Sequence, residues 1–276
     1  MNGASTAAEA ERVVLGYELV GSGPEGVIVF NDWLADCTSW KPMHLYLDKE
    51  AFTYAFVDIR GYGRSIDIPG AHTSTQAALD AFAVADHLGW ERFHIIGFSM
   101  TGMVVERMVL IDPARIKSEI AVGPVSAAAV KMEPERRAFF EKTLVDDDAV
   151  RELAARITDH RLTKEWSEHK LMLARTTRDH AAVREYLDMW TLDDFSAEMA
   201  AARPETPLLV VAGEWDQKSF LEDDMKATFM AWHPNAELVV IRNCGHCPMQ
   251  ETPIYLATLV EAFMRRHAAS PVPAGG

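Results

Sequence analysis

The sequence predicts an α/β fold: a mostly parallel central sheet flanked by helices, with a helical segment inserted late in the chain. Three observations predict it. Short β-rich runs alternate with segments of helical period. The alternation stops between Met132 and Ala202, where only helical segments occur, and then resumes. Chemically suggestive residues stand directly after strand-like runs, where open α/β sheets place their ligands.

The elements follow in order. Strand character is expected at Arg12–Val20, Gly26–Asn31 and Phe52–Asp58, with a helix-like stretch at Thr38–Asp48 between the second and third. Ser74–Leu88 is an amphipathic helix with Ala77, Leu79, Ala83, Ala85 and Leu88 at apolar positions. Arg92–Gly97 is a strand, Met100–Ile111 a helix and Ile116–Gly123 a strand. The inserted segment is rich in charge and breaks near Asp146–Asp148, Thr163 and Thr191. Pro207–Gly213, Phe220–Trp232, Glu237–Arg242 and Pro253–His267 then read strand, helix, strand, helix. Residues 1–131 and 203–276 are therefore expected to form a core and 132–202 a helical cap, with a disordered tail from Ala268.

Composition limits the function. With 49% apolar and 25% charged residues the chain is an ordinary globular one. Asp and Glu outnumber Lys and Arg 41 to 27, for a formal net charge of −14. Such a surface repels phosphate backbones and anionic lipid, so neither nucleic acid nor membrane is an expected partner, and a neutral small-molecule substrate is favoured. No apolar run reaches the ~20 residues of a membrane span. The first residues lack the basic and apolar regions of a secretory signal, so a cytoplasmic location is expected. Three cysteines, Cys37, Cys244 and Cys247, cannot build a disulfide framework at this length.

One constellation carries chemistry. Gly97-Phe98-Ser99-Met100-Thr101-Gly102 sits where a strand becomes a helix. A tight turn there lifts a serine hydroxyl clear of the sheet, and the helix N-terminus points amides at developing negative charge. The pattern G-x-S-x-G is met except at Thr101, and Gly102 follows one place late. Asp216 comes directly after the strand ending at Gly213, and His246 after the strand ending at Arg242. An imidazole can take the Ser99 proton while a carboxylate fixes its tautomer. Glu214 is the alternative acid and His233 the weaker alternative base.

These residues, with Asp58-x-Arg60-Gly61-x-Gly63-x-Ser65 and Gly245-His246 followed by Pro248 and Glu251-x-Pro253, resemble the α/β-hydrolase fold superfamily. The resemblance covers nearly the whole chain and is to serine esterases and lactonases with a helical cap. It implies Ser99 as nucleophile, His246 as general base and then acid, and Asp216 as the orienting acid. It also implies oxyanion-hole amides from Met100 and Trp33. The family's His-Gly before the second amide is here Asn31-Asp32, which places a carboxylate near an oxyanion. Thr101 is expected to be simply tolerated in place of a glycine, the alternative being a contact with substrate.

Other patterns read plainly. Cys244-x-x-Cys247 matches a redox spacing, but it follows a late strand instead of opening a helix. Cys244, His246 and Cys247 lack a clear fourth zinc ligand. Gly21-x-Gly23-x-x-Gly26 precedes a strand, so it reads as a hairpin turn and not a dinucleotide site. Adjacent aspartates such as Asp193–Asp194 and Asp223–Asp224 face solvent or cap helices.

The expected function is a serine hydrolase cleaving a neutral, hydrophobic carboxylic ester or lactone through an acyl-enzyme, with no cofactor or metal required. Asp32, Leu34, Phe98, Val125, Trp190 and Trp215 are the pocket candidates. Two other readings stay open: a cofactor-free perhydrolase (haloperoxidase) or oxygenase on the same fold, and a ligand-binding receptor with little turnover. Phe139, Phe140, Trp166, Met172, Tyr186, Met189 and Trp190 recur at helical spacing in the insertion and should mostly pack it. Their number allows a homodimer contact.

Overall fold

A computed structural model describes residues 13–268. Arg12, the leader reading and most of the expected tail lie outside them. Seven strands form one sheet in the order β1-β3-β2-β4-β5-β6-β7. They are β1 Tyr17–Gly21, β2 Glu25–Phe30, β3 Phe52–Val57, β4 Phe93–Phe98, β5 Ile116–Val122, β6 Leu208–Gly213 and β7 Ala236–Ile241. All neighbours run parallel except β1 and β3. Strands β4, β5 and β6 are buried almost throughout, as strands covered by helices on both faces must be, with His94 of β4 and Ser118 and Glu119 of β5 as buried polar residues among the apolar ones.

Two expectations at the start of the chain are corrected. Strand β1 begins at Tyr17, where pairing with Val57 of β3 starts. The segment Gly21–Gly26 is not a hairpin turn, because β3 lies between β1 and β2. It crosses the start of β3 instead, with the Ser22 and Gly23 amides donating to the Lys49 and Phe52 carbonyls. Local turn chemistry does not reveal a strand inserted from thirty residues downstream.

The helices are α1 Ser74–His87, α2 Gly102–Ile111, α3 Pro134–Lys142, α4 Asp147–Arg156, α5 Lys164–Thr176, α6 His180–Leu192, α7 Ser196–Ala202, α8 Glu222–Ala227, α9 Phe229–Trp232, α10 Pro248–Glu251 and α11 Pro253–His267. The stretch expected as helix from Thr38 is a 3₁₀ segment, Cys37–Tyr46, with Pro42 inside it. Proline removes an amide donor, which a continuous α-helix cannot spare. Thr73 caps α1 by accepting from the Gln76 amide, but Leu79 of that helix is exposed. Five helices, α3 to α7, stand between β5 and β6. Asp146 caps α4 by accepting from the Ala149 amide. The helix expected over Phe220–Trp232 breaks at Thr228 into α8 and α9.

Behind α2 lies a buried polar cluster. Glu106 of α2 is 3.5 Å from His233, and Glu119 of β5 is 4.0 Å from the same ring. All three are shielded from solvent. Burial raises Glu119 to about 8, with His233 opposing and Glu106 reinforcing the shift. Burial likewise pushes Glu106 up and His233 down. The alternative base His233 is thus a core residue.

A carboxyl whose pKa rises on folding holds its proton more tightly folded than unfolded. Its contribution to stability is present below the ordinary carboxyl range and is lost as pH rises through about 8. His233 acts below the ordinary imidazole range and is neutral in both states above it. Between about pH 7 and about pH 9, the thermal midpoint of Glu119→Gln should therefore fall less than that of the wild type. Equal falls in a melting series would refute this.

Candidate active site

Ser99 stands between β4 and the 3₁₀ turn Ser99–Thr101 that opens α2, with φ at +54°. Left-handed backbone is unfavourable for a non-glycine residue, at a cost of about 1–2 kcal/mol. The surroundings enforce it. The Thr101 hydroxyl accepts from the Phe98 amide at 2.9 Å and lies 2.9 Å from the Phe98 carbonyl and 3.0 Å from that of Asn31. The Val125 amide donates to the Ser99 carbonyl at 2.8 Å. A Cβ on Gly102 would lie 2.4 Å from that of Pro124, so the glycine one place late is the one that permits close approach. Thr101 is neither a passive replacement nor a substrate contact: it is fully buried, and its hydroxyl ties the turn to the loop after β2.

The chain brings Ser99, His246 and Asp216 together. His246 Nε2 is 2.9 Å from Ser99 Oγ, and Nδ1 is 2.8 Å from Asp216 Oδ2. A carboxylate partner assigns the proton to Nδ1, leaving Nε2 to accept from the serine hydroxyl. Asp216 Oδ1 accepts from the Gln217 amide at 2.6 Å. Burial raises the Asp216 pKa above the ordinary carboxylate value, against the pull of His246 and the Gln217 amide. Glu214, the alternative acid, accepts from the Asn243 amide at 2.9 Å at the surface.

The His246 ring packs against Phe98 and Phe220, with centroids 5.2 and 4.9 Å away. Its loop is held on both sides. Glu251 accepts from the Gly245 amide at 2.9 Å and the Cys247 amide at 3.1 Å, and Arg161 pairs with that carboxylate. The His246 amide donates to the Ile157 carbonyl at 2.8 Å. A Cβ on Gly245 would lie 2.8 Å from the same oxygen, so glycine is needed for the two backbones to meet. Cys244 and Cys247 are free, buried thiols; burial drives Cys244 up to about 12 and Cys247 also upward.

Of the two residues expected to supply oxyanion amides, Trp33 lines the same space as Ser99 and His246, and Met100 directly follows Ser99. Met100 is the second residue of the 3₁₀ turn, where an amide has no partner within the turn. Trp33 lies in a loop shaped by its neighbours. Asp32 Oδ1 accepts from the Leu34 and Ala35 amides at 2.6 and 2.7 Å. Asn31 donates to the Asp32 and Ala35 carbonyls and accepts from the Ile59 amide at 3.0 Å. The Trp33 carbonyl accepts from Tyr62 and Arg178, and its indole N–H donates to the Val183 carbonyl at 2.9 Å.

Ser99 and His246 open onto a small, mostly apolar cavity. Four of the six pocket candidates, Asp32, Leu34, Val125 and Trp190, line it, as does Trp33. Phe98 does not: as the last residue of β4 it turns into the core, under the His246 ring. Trp215 does not either, being 42% exposed at the surface. The remaining wall comes from Phe140, Leu153, Ile157, Gln217 and Phe220. Leu153 and Ile157 were detectable as an i, i+4 apolar pair, and Gln217 as the neighbour of Asp216.

A family model described as the alpha/beta hydrolase family matches residues 28–259. The chain belongs to this family. Among sequence relatives, this alpha/beta hydrolase is 24% identical to a 2-hydroxy-6-oxononadienedioate/2-hydroxy-6-oxononatrienedioate hydrolase of Burkholderia vietnamiensis, over 91% of this chain and 90% of that one. It is 22% identical to a pimeloyl-[acyl-carrier protein] methyl ester esterase of Serratia marcescens, over 91% and 98%. A solved hydrolase from Oleispira antarctica shares the fold with a TM-score of 0.79 at 17% identity, over 91% and 94%. Among the described residues no helix is long and apolar enough to cross a membrane.

Thr101→Val removes a buried hydroxyl and leaves the Phe98 amide without its acceptor. It should lower the unfolding free energy by roughly 1–3 kcal/mol, read from urea denaturation, and Thr101→Ser should recover most of the loss. An unchanged midpoint in the valine variant would show that the hydroxyl bonds add nothing.

Proposed function

We propose that this hydrolase cleaves a small, neutral, hydrophobic carboxylic ester or lactone through a serine acyl-enzyme. The observation that carries the reading is the hydrogen-bonded chain Asp216–His246–Ser99 ending at an apolar cavity. Ser99 Oγ attacks the carbonyl carbon as its proton passes to His246 Nε2. The amides of Met100 and Trp33 receive the oxyanion. His246 then protonates the leaving alkoxide, which in a lactone stays tethered to the acyl group. Water deprotonated by His246 releases the acid and restores Ser99. Protein groups and water carry every step.

The walls support the substrate class. Trp33, Phe140 and Trp190 form an aromatic cluster with centroids 5.2 to 5.9 Å apart. No lysine or arginine stands among the described lining residues, and Asp32 does. A dioate, the substrate class in the Burkholderia relative's name, would find no lysine or arginine among those lining residues to receive its carboxylates. Residues 132–202 act in this reading as the cap, since Phe140, Leu153, Ile157 and Trp190 come from α3, α4, α6 and the turn after α4. Residues 1–131 and 203–276 supply the core.

Ser99→Ala should lower turnover of a short-chain p-nitrophenyl ester by roughly 10⁴-fold or more while keeping the wild-type melting curve. Turnover at the wild-type rate in that variant would overturn the proposal.

A further inference from the structure

The loop that carries the Trp33 amide contains a charge that a site for a developing oxyanion should not tolerate. Asp32 lines the cavity with Ser99 and His246, one residue from that amide, and its side chain is 5% exposed. Its Oδ1 is taken by the Leu34 and Ala35 amides. Its Oδ2 faces Lys170 of α5, whose Nζ lies 3.6 Å away. Lys170 is fully buried, and its ammonium makes no hydrogen bond among the described residues. The ring of Trp166 lies 5.8 Å from it. Of the other acids near it, Glu251 is already paired with Arg161. A buried ammonium is costly unless paired, so this lysine is anchored to Asp32.

We propose that Lys170 is a positioning residue for the oxyanion site: it offsets the Asp32 charge and holds that carboxylate in the loop presenting the Trp33 amide. The inference rests on the serine-hydrolase reading above. An uncompensated Asp32 would oppose the oxyanion formed in the transition state and leave the neutral ground state nearly untouched. The effect of losing Lys170 therefore belongs in kcat, not in KM. It should vanish when Asp32 has no charge.

The test is a double-mutant cycle on p-nitrophenyl ester hydrolysis with Lys170→Met, Asp32→Asn and the double variant, each checked by thermal unfolding. Asparagine keeps a carbonyl acceptor for the Leu34 and Ala35 amides. In Lys170→Met, kcat should fall roughly 10- to 100-fold with KM within about threefold. The double variant should return kcat to within about threefold of Asp32→Asn. A folded Lys170→Met with wild-type kcat, or a loss that persists undiminished in the double variant, would overturn the inference. If Lys170→Met does not fold, the double variant is compared with Asp32→Asn alone, and a further tenfold loss overturns it. Ser99→Ala in the same assay separates the two levels. Turnover that survives there overturns the hydrolase reading and this inference together. Ser99-dependent turnover that ignores Lys170 overturns this inference alone.

Discussion

The left-handed backbone at Ser99 is the constraint around which the site is arranged. A residue in that conformation leaves β4 and enters α2 within a single turn, so its side chain cannot stay in the plane of either. Strain of this kind persists only where the surroundings over-determine it. Here Gly102 lets α2 approach Pro124 and Val125, and Thr101 fastens the turn to Phe98 and to Asn31 of the neighbouring loop. The departures from the G-x-S-x-G pattern and from the family's His-Gly thus meet in one hydrogen bond. A threonine hydroxyl below the turn reaches a carbonyl of the loop whose next residues are Asp32 and Trp33.

The segment between β5 and β6 bonds to the loops that carry His246, Trp33 and Asp216. The Ile157 carbonyl receives the His246 amide, and the Val183 carbonyl receives the Trp33 indole. Arg136 donates to Ser219 and Gln217, both at 3.0 Å, beside Asp216. Two of these contacts use backbone carbonyls of the insertion, so they follow from where its chain runs and not from its side chains. Displacing the insertion as a rigid body would break bonds to the loops of His246, Asp216 and Trp33 together. The walls of the cavity and the positions of its polar groups are therefore set by the same packing.

Much of this was legible in residues 92–123 and 207–246, because buried parallel strands are short apolar runs and their C-terminal loops follow at once. Ser99, Asp216 and His246 could be picked out by such positions together with their order along the chain and the near-match to G-x-S-x-G. What was not legible depended on partners distant in sequence. Strand β1 pairs with β3, which no local pattern around Gly21 announces. Phe98 and Trp215 flank site residues in sequence, yet one turns beneath the histidine ring and the other turns out to solvent. Adjacency along a chain does not fix the direction of a side chain at the end of a strand. Lys170 reads as one more charge on an amphipathic helix until Asp32, 138 positions away, is placed beside it.

The acidic surplus of the whole chain gives no guide to the charges that matter inside it. Burial leaves an ionisable group two ways to persist, by pairing or by neutralisation. Asp32 with Lys170 and Arg60 with Asp80 take the first, at 3.6 and 2.6 Å. Glu106 and Glu119 take the second, their carboxyls held protonated by burial behind α2. Asp216 follows neither fully: burial pushes it toward neutrality while His246 and the Gln217 amide draw it back. In the proposed reaction, that balance suits a group whose partner ring gains a positive charge and loses it again within one turnover. A carboxylate already hydrogen-bonded to a permanent cation would gain less from that imidazolium; among the described residues the direct hydrogen-bond partners of Asp216 are the His246 ring and the Gln217 amide.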